Sequence, residues 1–299
     1  MMPRRLETQQ LWDWRAAAYL FLAGVGSGST LVAMAYAFLL DSYSAVTGTG
    51  LIIGPFLVIL GSLFLFLDLG RPLLCYLAPC RPGHSWISRG FLILSAFIIL
   101  SFIHTALWVW PWQVMEEGSS VWWAFGAVNG ILALLTAIYT ALLLGTSPIP
   151  LWNTPILPIL FLVSSVSTGI AAIVLVTVHV LGMNVPSEEV SFLLQADGVF
   201  IVMEMLLIVV YLYGMKLVTA AKSSVMNVVS GKLAGAFWIG LVGIGLVIPL
   251  IMEWTGDWAL LPAVCTLIGG YLLRHIVVKA GIKMPLSAQG IIIPIPGKN

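Results

Sequence analysis

Charge is what this sequence has least of. Only 8% of its 299 residues are Asp, Glu, Lys or Arg, against roughly 25% in an ordinary soluble domain. Such a protein lacks the polar side chains to cover a water-facing surface, and 60% of it is hydrophobic. It reads as an integral membrane protein. Lipid offers backbone groups no partners, so the spans must be helices or a closed barrel. The apolar runs lack the period-two alternation of barrel strands, and at ~20 residues each they suit helices. Cysteine is scarce as well. Cys75, Cys80 and Cys265 show no CxxC spacing and no neighbouring histidine pair. Neither a zinc site nor an iron–sulfur cluster is therefore expected in this protein. A net charge of +1 gives no sign of a nucleic-acid partner, and none is expected. Arg4 and Arg5 are followed by a polar stretch rather than a short apolar core with a cleavage site. The first span is therefore expected to be retained.

What is present is a succession of apolar runs. They predict about eight spans, near 15–40, 50–68, 88–110, 122–144, 156–181, 198–219, 233–252 and 258–279. The expected fold class is all-α, eight transmembrane helices in two packed four-helix bundles. It forms a single domain over 1–299, with an extended tail from about 284 carrying Pro285, Pro294 and Pro296. Tryptophans cluster near the predicted ends, as in an aromatic belt. An even number of spans puts both termini on one side, called side A. All 13 Lys and Arg then fall on side A, and side B carries only acids, among them Glu116, Glu117, Glu188 and Glu189. The positive-inside rule places side A, and any partner bound there, in the cytoplasm of an inner-membrane protein.

The densest polar patch is 66–90, FLDLGRPLLCYLAPCRPGHSWISRG. Asp68 ends one apolar run, and Arg71, Arg81 and Arg89 follow among Gly-Pro and Arg-Pro-Gly turn signals. Helix, ordered loop, helix is the expectation. Depth along the helices then brings Tyr19, Asp68 and Tyr139 to one level near side A, Tyr19 being ~6 Å into its span. Apolar walls, hydroxyl donors and an ionisable group are the mixture a quinone needs. The bland alternative is two interfacial tyrosines and a loop-capping aspartate. Asp197 and Glu204, seven apart, share a helix face, as a proton path or as a polar seam locking helices. Glu253 could extend such a path. Arg274 is expected to snorkel to side A. Gly24-Val-Gly26-Ser-Gly28 is expected to serve helix packing. His104 and His179 at similar depth leave one haem open on spacing alone, but no helix carries two histidines at the spacing of stacked haems.

Several of these stretches together resemble the NrfD-type membrane subunits, the polysulfide reductase membrane subunit family. They are Trp12-Asp-Trp14 with Ala18–Gly28, Asp68-Leu-Gly-Arg-Pro72, Ser85-Trp-Ile-Ser-Arg-Gly90, Tyr139-Thr140, Asn153–Phe161 with Ser167-Thr-Gly169, the acids Asp197 and Glu204, and Leu273–Gly281. The resemblance implies an eight-helix subunit without haem. It would exchange electrons between menaquinone or ubiquinone and a ferredoxin-like iron–sulfur subunit, which passes them to a catalytic, often molybdopterin, subunit. It implies a quinone head among the first four helices, with Tyr139 at a tyrosine proposed to contact it. Tyr19 stands where one member has a histidine, and Asp68 where some members have histidine in an HLGRP form. In many members side A faces outside, whereas the bases here put it inside. The expected assignments are Tyr19, Tyr139, Asp68 and Arg71 at the quinone, Asp68 as proton relay, Asp197, Glu204 and Glu253 as proton path, and Trp86, Arg81 and Arg89 at the docking surface. Membrane lipids are expected partners. A secondary transporter or proton-conducting protein without redox role is the competing reading, though no internal repeat supports it.

Overall fold

A computed structural model describes residues 12–40, 44–68, 83, 85–109, 112–255, 259–282, 286–288 and 291–293. Among them eight helical spans are long and apolar enough to cross a membrane. Six are single α-helices: α1 (Trp14–Leu40), α2 (Ala45–Asp68), α3 (Trp86–Trp108), α4 (Ser120–Gly145), α6 (Ser187–Leu217) and α9 (Leu260–Lys279). The other two are composite. A π-helical turn, Leu175–Val180, continues α5 (Ile156–Val174), and a π-helical stretch, Ala236–Val247, leads into α8 (Ile248–Thr255). A short helix on side A, α7 (Lys222–Val229), adds to the expected elements. Eight residues of mixed polarity are not an apolar run, so hydropathy does not reveal it. In the tail, β1 (Leu286–Ala288) and β2 (Ile291–Ile293) pair antiparallel.

α1 is the hub. It packs against α2, α4, α5 and α9, and α5 in turn packs against α4, α6 and α9. The expected division into two four-helix bundles is not resolved by these contacts, since α1 and α5 are common to both halves. Small residues make this crossing possible. A Cβ on Gly28 would overlap the Ser165 backbone, and one on Gly169 would overlap Gly28. Without a hydrophobic drive between helices in lipid, such close backbone approach is the main source of association. The glycine-rich run of α1 is thus a packing surface, as expected. Serines in the same contact turn their hydroxyls onto their own helix: Ser27 to the Ala23 carbonyl at 2.6 Å, and Ser165 to Phe161 at 2.6 Å.

One boundary moves by about three turns. The apolar run puts the sixth span at 198–219, yet α6 begins at Ser187 behind Pro186. Glu188 and Glu189 lie in its first turn, where acids complement the helix dipole. Their polarity hides the helix from an apolarity criterion. At 31 residues α6 is ~46 Å long, more than a ~30 Å hydrocarbon layer needs. Asp197 consequently lies ten residues inside the helix, not at its edge. The aromatic belt is also only part of the truth: Trp14, Trp112 and Trp254 are exposed, but Trp122 and Trp152 are fully buried. The Trp152 indole donates to the Val277 carbonyl at 2.8 Å and holds a connection against α9.

Candidate functional site

Tyr19 and Tyr139 line one cavity. Its volume is about 330 Å³, within the ~300–1,000 Å³ usual for small-molecule sites. α2 supplies Ile59, Ser62, Leu63 and Phe66, and α3 supplies Ile87, Phe91, Leu94, Ser95 and Ile98. The walls are therefore apolar except for two phenols and two hydroxyls. Tyr139 donates to the carbonyl of Trp86, in the first turn of α3, at 3.2 Å. It can approach that closely because residue 90 is glycine, since a Cβ there would overlap the phenol ring. Tyr19 is fully buried, and its hydroxyl has no hydrogen-bond partner. An unpaired buried hydroxyl costs about 1–3 kcal/mol, so one carried by a residue of the cavity lining calls for an explanation. The Ser62 hydroxyl is already turned to the Val58 carbonyl at 2.8 Å. The residues fit a flat, mostly apolar ligand with oxygen at its edge.

The remaining members expected here are placed less fully. Phe66 of the cavity wall stands two residues before Asp68, whose backbone ends α2. The side chain of Asp68, and Arg71 and Arg81 altogether, lie outside the described residues. Arg89 and Trp86 do come together at the start of α3, beside the cavity residue Ile87. The Arg89 guanidinium sits 4.8 Å from the Trp86 ring centre and donates to the Gly83 carbonyl at 3.1 Å.

A second polar region joins α5, α6, α8 and α9. Asp197, Glu204 and Glu253 are all buried. Asp197 faces Ser167 and Glu253, and a Cβ on Gly198 would stand 3.6 Å from Glu253 Oε2. Glu204 lies beside Ser164, within electrostatic reach of Arg274. Arg274 overturns the snorkelling expectation. It is fully buried, and it donates to the Leu20 carbonyl at 3.1 Å, the Gly270 carbonyl at 2.8 Å, Ser164 Oγ at 3.1 Å and Ser165 Oγ at 3.0 Å. Gly24 leaves room for it, for a Cβ there would press on the guanidinium at 2.5 Å. The depth of Arg274 suits either fate. What decides is a set of acceptors from α1 and α5 that no reading of α9 alone reveals.

His104 is enclosed by Trp108, Trp122 and Phe125, whereas His179 is exposed at the end of the α5 π turn. Among the described residues no group of three His, Cys, Asp or Glu is placed to hold a metal ion.

Residues 5–285 match the family model described as polysulphide reductase, NrfD. The protein belongs to this family. Similar members include the C subunit of the polysulfide reductase of Wolinella succinogenes, 29% identical over 301 residues, which cover 91% of this protein and 94% of that one. Protein NrfD of Escherichia coli K12 is 29% identical over 308 residues, covering 91% and 95%. The NrfD homolog of Haemophilus influenzae is 28% identical over 302 residues, covering 91% and 94%. As an NrfD-family member with eight membrane-spanning helices, it is a multi-pass membrane protein. The match runs through both polar regions, so the cavity of α1–α4 and the buried acids lie within the shared domain.

Proposed function

We propose that this protein is the quinone-reactive membrane subunit of a respiratory oxidoreductase. It exchanges electrons between the menaquinone or ubiquinone pool and a ferredoxin-like iron–sulfur subunit docked on side A, at Arg71 and Arg81 between α2 and α3 and at Trp86 and Arg89 in the first turn of α3. That subunit passes them to a catalytic subunit. The Wolinella relative is one lettered subunit of a polysulfide reductase, which supports a multi-subunit setting here. The single observation that carries the quinone reading is the cavity in which two phenols from α1 and α4 meet apolar walls.

A bound quinone supplies two-electron, two-proton redox chemistry; the protein's part is to hold it and move protons. The unpaired Tyr19 hydroxyl is free to donate to a carbonyl oxygen. Tyr139 already donates to Trp86, so its oxygen can accept from a ligand hydroxyl without loss of that bond. Asp68, at the end of α2, stands where a proton could leave toward side A. Asp197, Glu204 and Glu253 would connect the interior with side B, which would make turnover electrogenic.

The test uses the purified complex. Tyr19→Phe and Tyr139→Phe are each expected to slow quinol-linked turnover at least tenfold. Electron entry from a small dye donor that bypasses the membrane subunit should be unchanged. Equal quinol-linked rates in wild type and both variants would reject the site. Purification without any iron–sulfur companion would reject the role.

A further inference from the structure

We propose that the wedge between α6 and the π-helical stretch Ala236–Val247 is a binding site for one anionic phospholipid, its phosphate at Lys216. Consecutive spans normally pack closely, but these two touch only sparingly. A cavity of about 400 Å³ lies between them. Its walls are apolar, with Ile208, Leu212, Phe237 and Leu246 among them, and Lys216 stands at its side A end. Short α7 roofs it through Val225 and Val229. Trp238 acts as a lintel at the mouth, its indole donating to the Val229 carbonyl at 3.0 Å.

In a bilayer such a wedge is filled by an acyl tail, because bare apolar walls lose their packing partners. The charge at its rim selects the headgroup. From Gly214 to Gly235 the sequence has Lys216, Lys222 and Lys232 and no acid. Among the described residues none of these lysines has an ion-pair partner. A lysine stem can lie along the apolar wall while its ammonium reaches the phosphate layer. Two other grooves open toward lipid make a useful contrast. The one beside Phe21 and Leu175 and the one beside Leu31 and Phe200 have no charged side chain in their lining. They offer room for acyl tails but nothing that distinguishes headgroups.

The probe is phosphatidylglycerol against phosphatidylcholine, added in equal amounts to the delipidated full-length complex and counted by native mass spectrometry. Wild type should retain one phosphatidylglycerol at least fivefold over phosphatidylcholine. Lys216→Glu should abolish that preference, and Lys216→Arg should keep it. Lys216 is exposed, so neither substitution disturbs packing. Lys279→Glu, an exposed lysine at the same membrane side on α9, is the control and should leave the preference intact. Equal retention of both lipids by wild type would overturn the proposal. So would an equal loss in Lys279→Glu, which would reveal a general surface-charge effect, or release of a peptide or second protein from the wedge. Quinol-linked turnover is not the readout, so this outcome is independent of the quinone assignment.

Discussion

Tyr19 and Tyr139 are the same residue type on facing helices, yet their surroundings give them opposite stability costs. The Tyr139 hydroxyl has the Trp86 carbonyl at 3.2 Å, and the Tyr19 hydroxyl has nothing. Removing a hydrogen-bonded hydroxyl costs about 0.5–1.5 kcal/mol, while removing an unsatisfied one relieves a burial penalty. Tyr139→Phe should therefore lower the melting temperature of the detergent-solubilised protein by a few degrees, and Tyr19→Phe should leave it unchanged or raise it. Thermal unfolding followed by intrinsic fluorescence reads both. A drop for Tyr19→Phe equal to that for Tyr139→Phe would mean that Tyr19 has a protein partner after all. Gly90 belongs to the same scale. A side chain there overlaps the Tyr139 ring, so Gly90→Ala should displace the phenol from the cavity. Quinone-analogue affinity is expected to fall at least tenfold, measured by titration of the purified complex. An unaltered affinity would detach the phenol from ligand binding.

Among the elements, the α1–α5 contact is the one that cannot loosen. Gly28 and Gly169 meet backbone to backbone, and overpacking costs about 1–3 kcal/mol, with the upper end expected where only backbone faces the added side chain. Gly28→Val is expected to abolish stable expression, or at least to lower the melting temperature by roughly ten degrees or more. Gly48→Val provides the contrast, because open space surrounds a Cβ at Gly48. Comparable losses in both would point to helix propensity rather than packing. The π-helical stretch before α8 shows a different limit. A widened helix leaves no mark on hydropathy, since twelve residues of Ala, Phe, Trp, Ile, Gly, Leu and Val read as span whatever their winding. The early start of α6 escapes for the opposite reason, its first turn being too polar to look buried in a membrane.

For the whole molecule, orientation and proton coupling are the consequences to test. Apart from the buried Arg274, the Lys and Arg of the described residues, namely Arg15, Arg89, Lys216, Lys222, Lys232 and Lys279, gather toward side A, a bias from which the positive-inside rule predicts a cytoplasmic side A. A reporter fused after Asn299 that is active only in the cytoplasm is the expected result, and activity only outside would reverse the assignment. The acids of the second polar region bear on coupling. With Asp197 ten residues inside α6 and Glu253 beside it, the seam reaches from the side B end of α8 toward Arg274. Glu204→Gln should preserve quinol-linked electron transfer within threefold in detergent. It should reduce proton release or uptake per electron in sealed vesicles, followed with a pH dye. A variant with normal proton-to-electron ratio would leave the seam a purely structural lock.

Membrane residence and the number of spans were settled by the sequence alone. Composition and run length are properties that need no neighbour. The joint depth of Tyr19 and Tyr139 could also be read, because a helix of known start converts residue number into height. What each helix turned toward the others was decided only in three dimensions. Arg274 is held by a carbonyl of α1 and two serines of α5, Trp122 and Trp152 left the interface for the interior, and the wedge at Lys216 exists because two successive spans part. Rotation about a helix axis costs the isolated span nothing in lipid, so it is chosen by interhelical contacts, and those become visible only when the helices are packed.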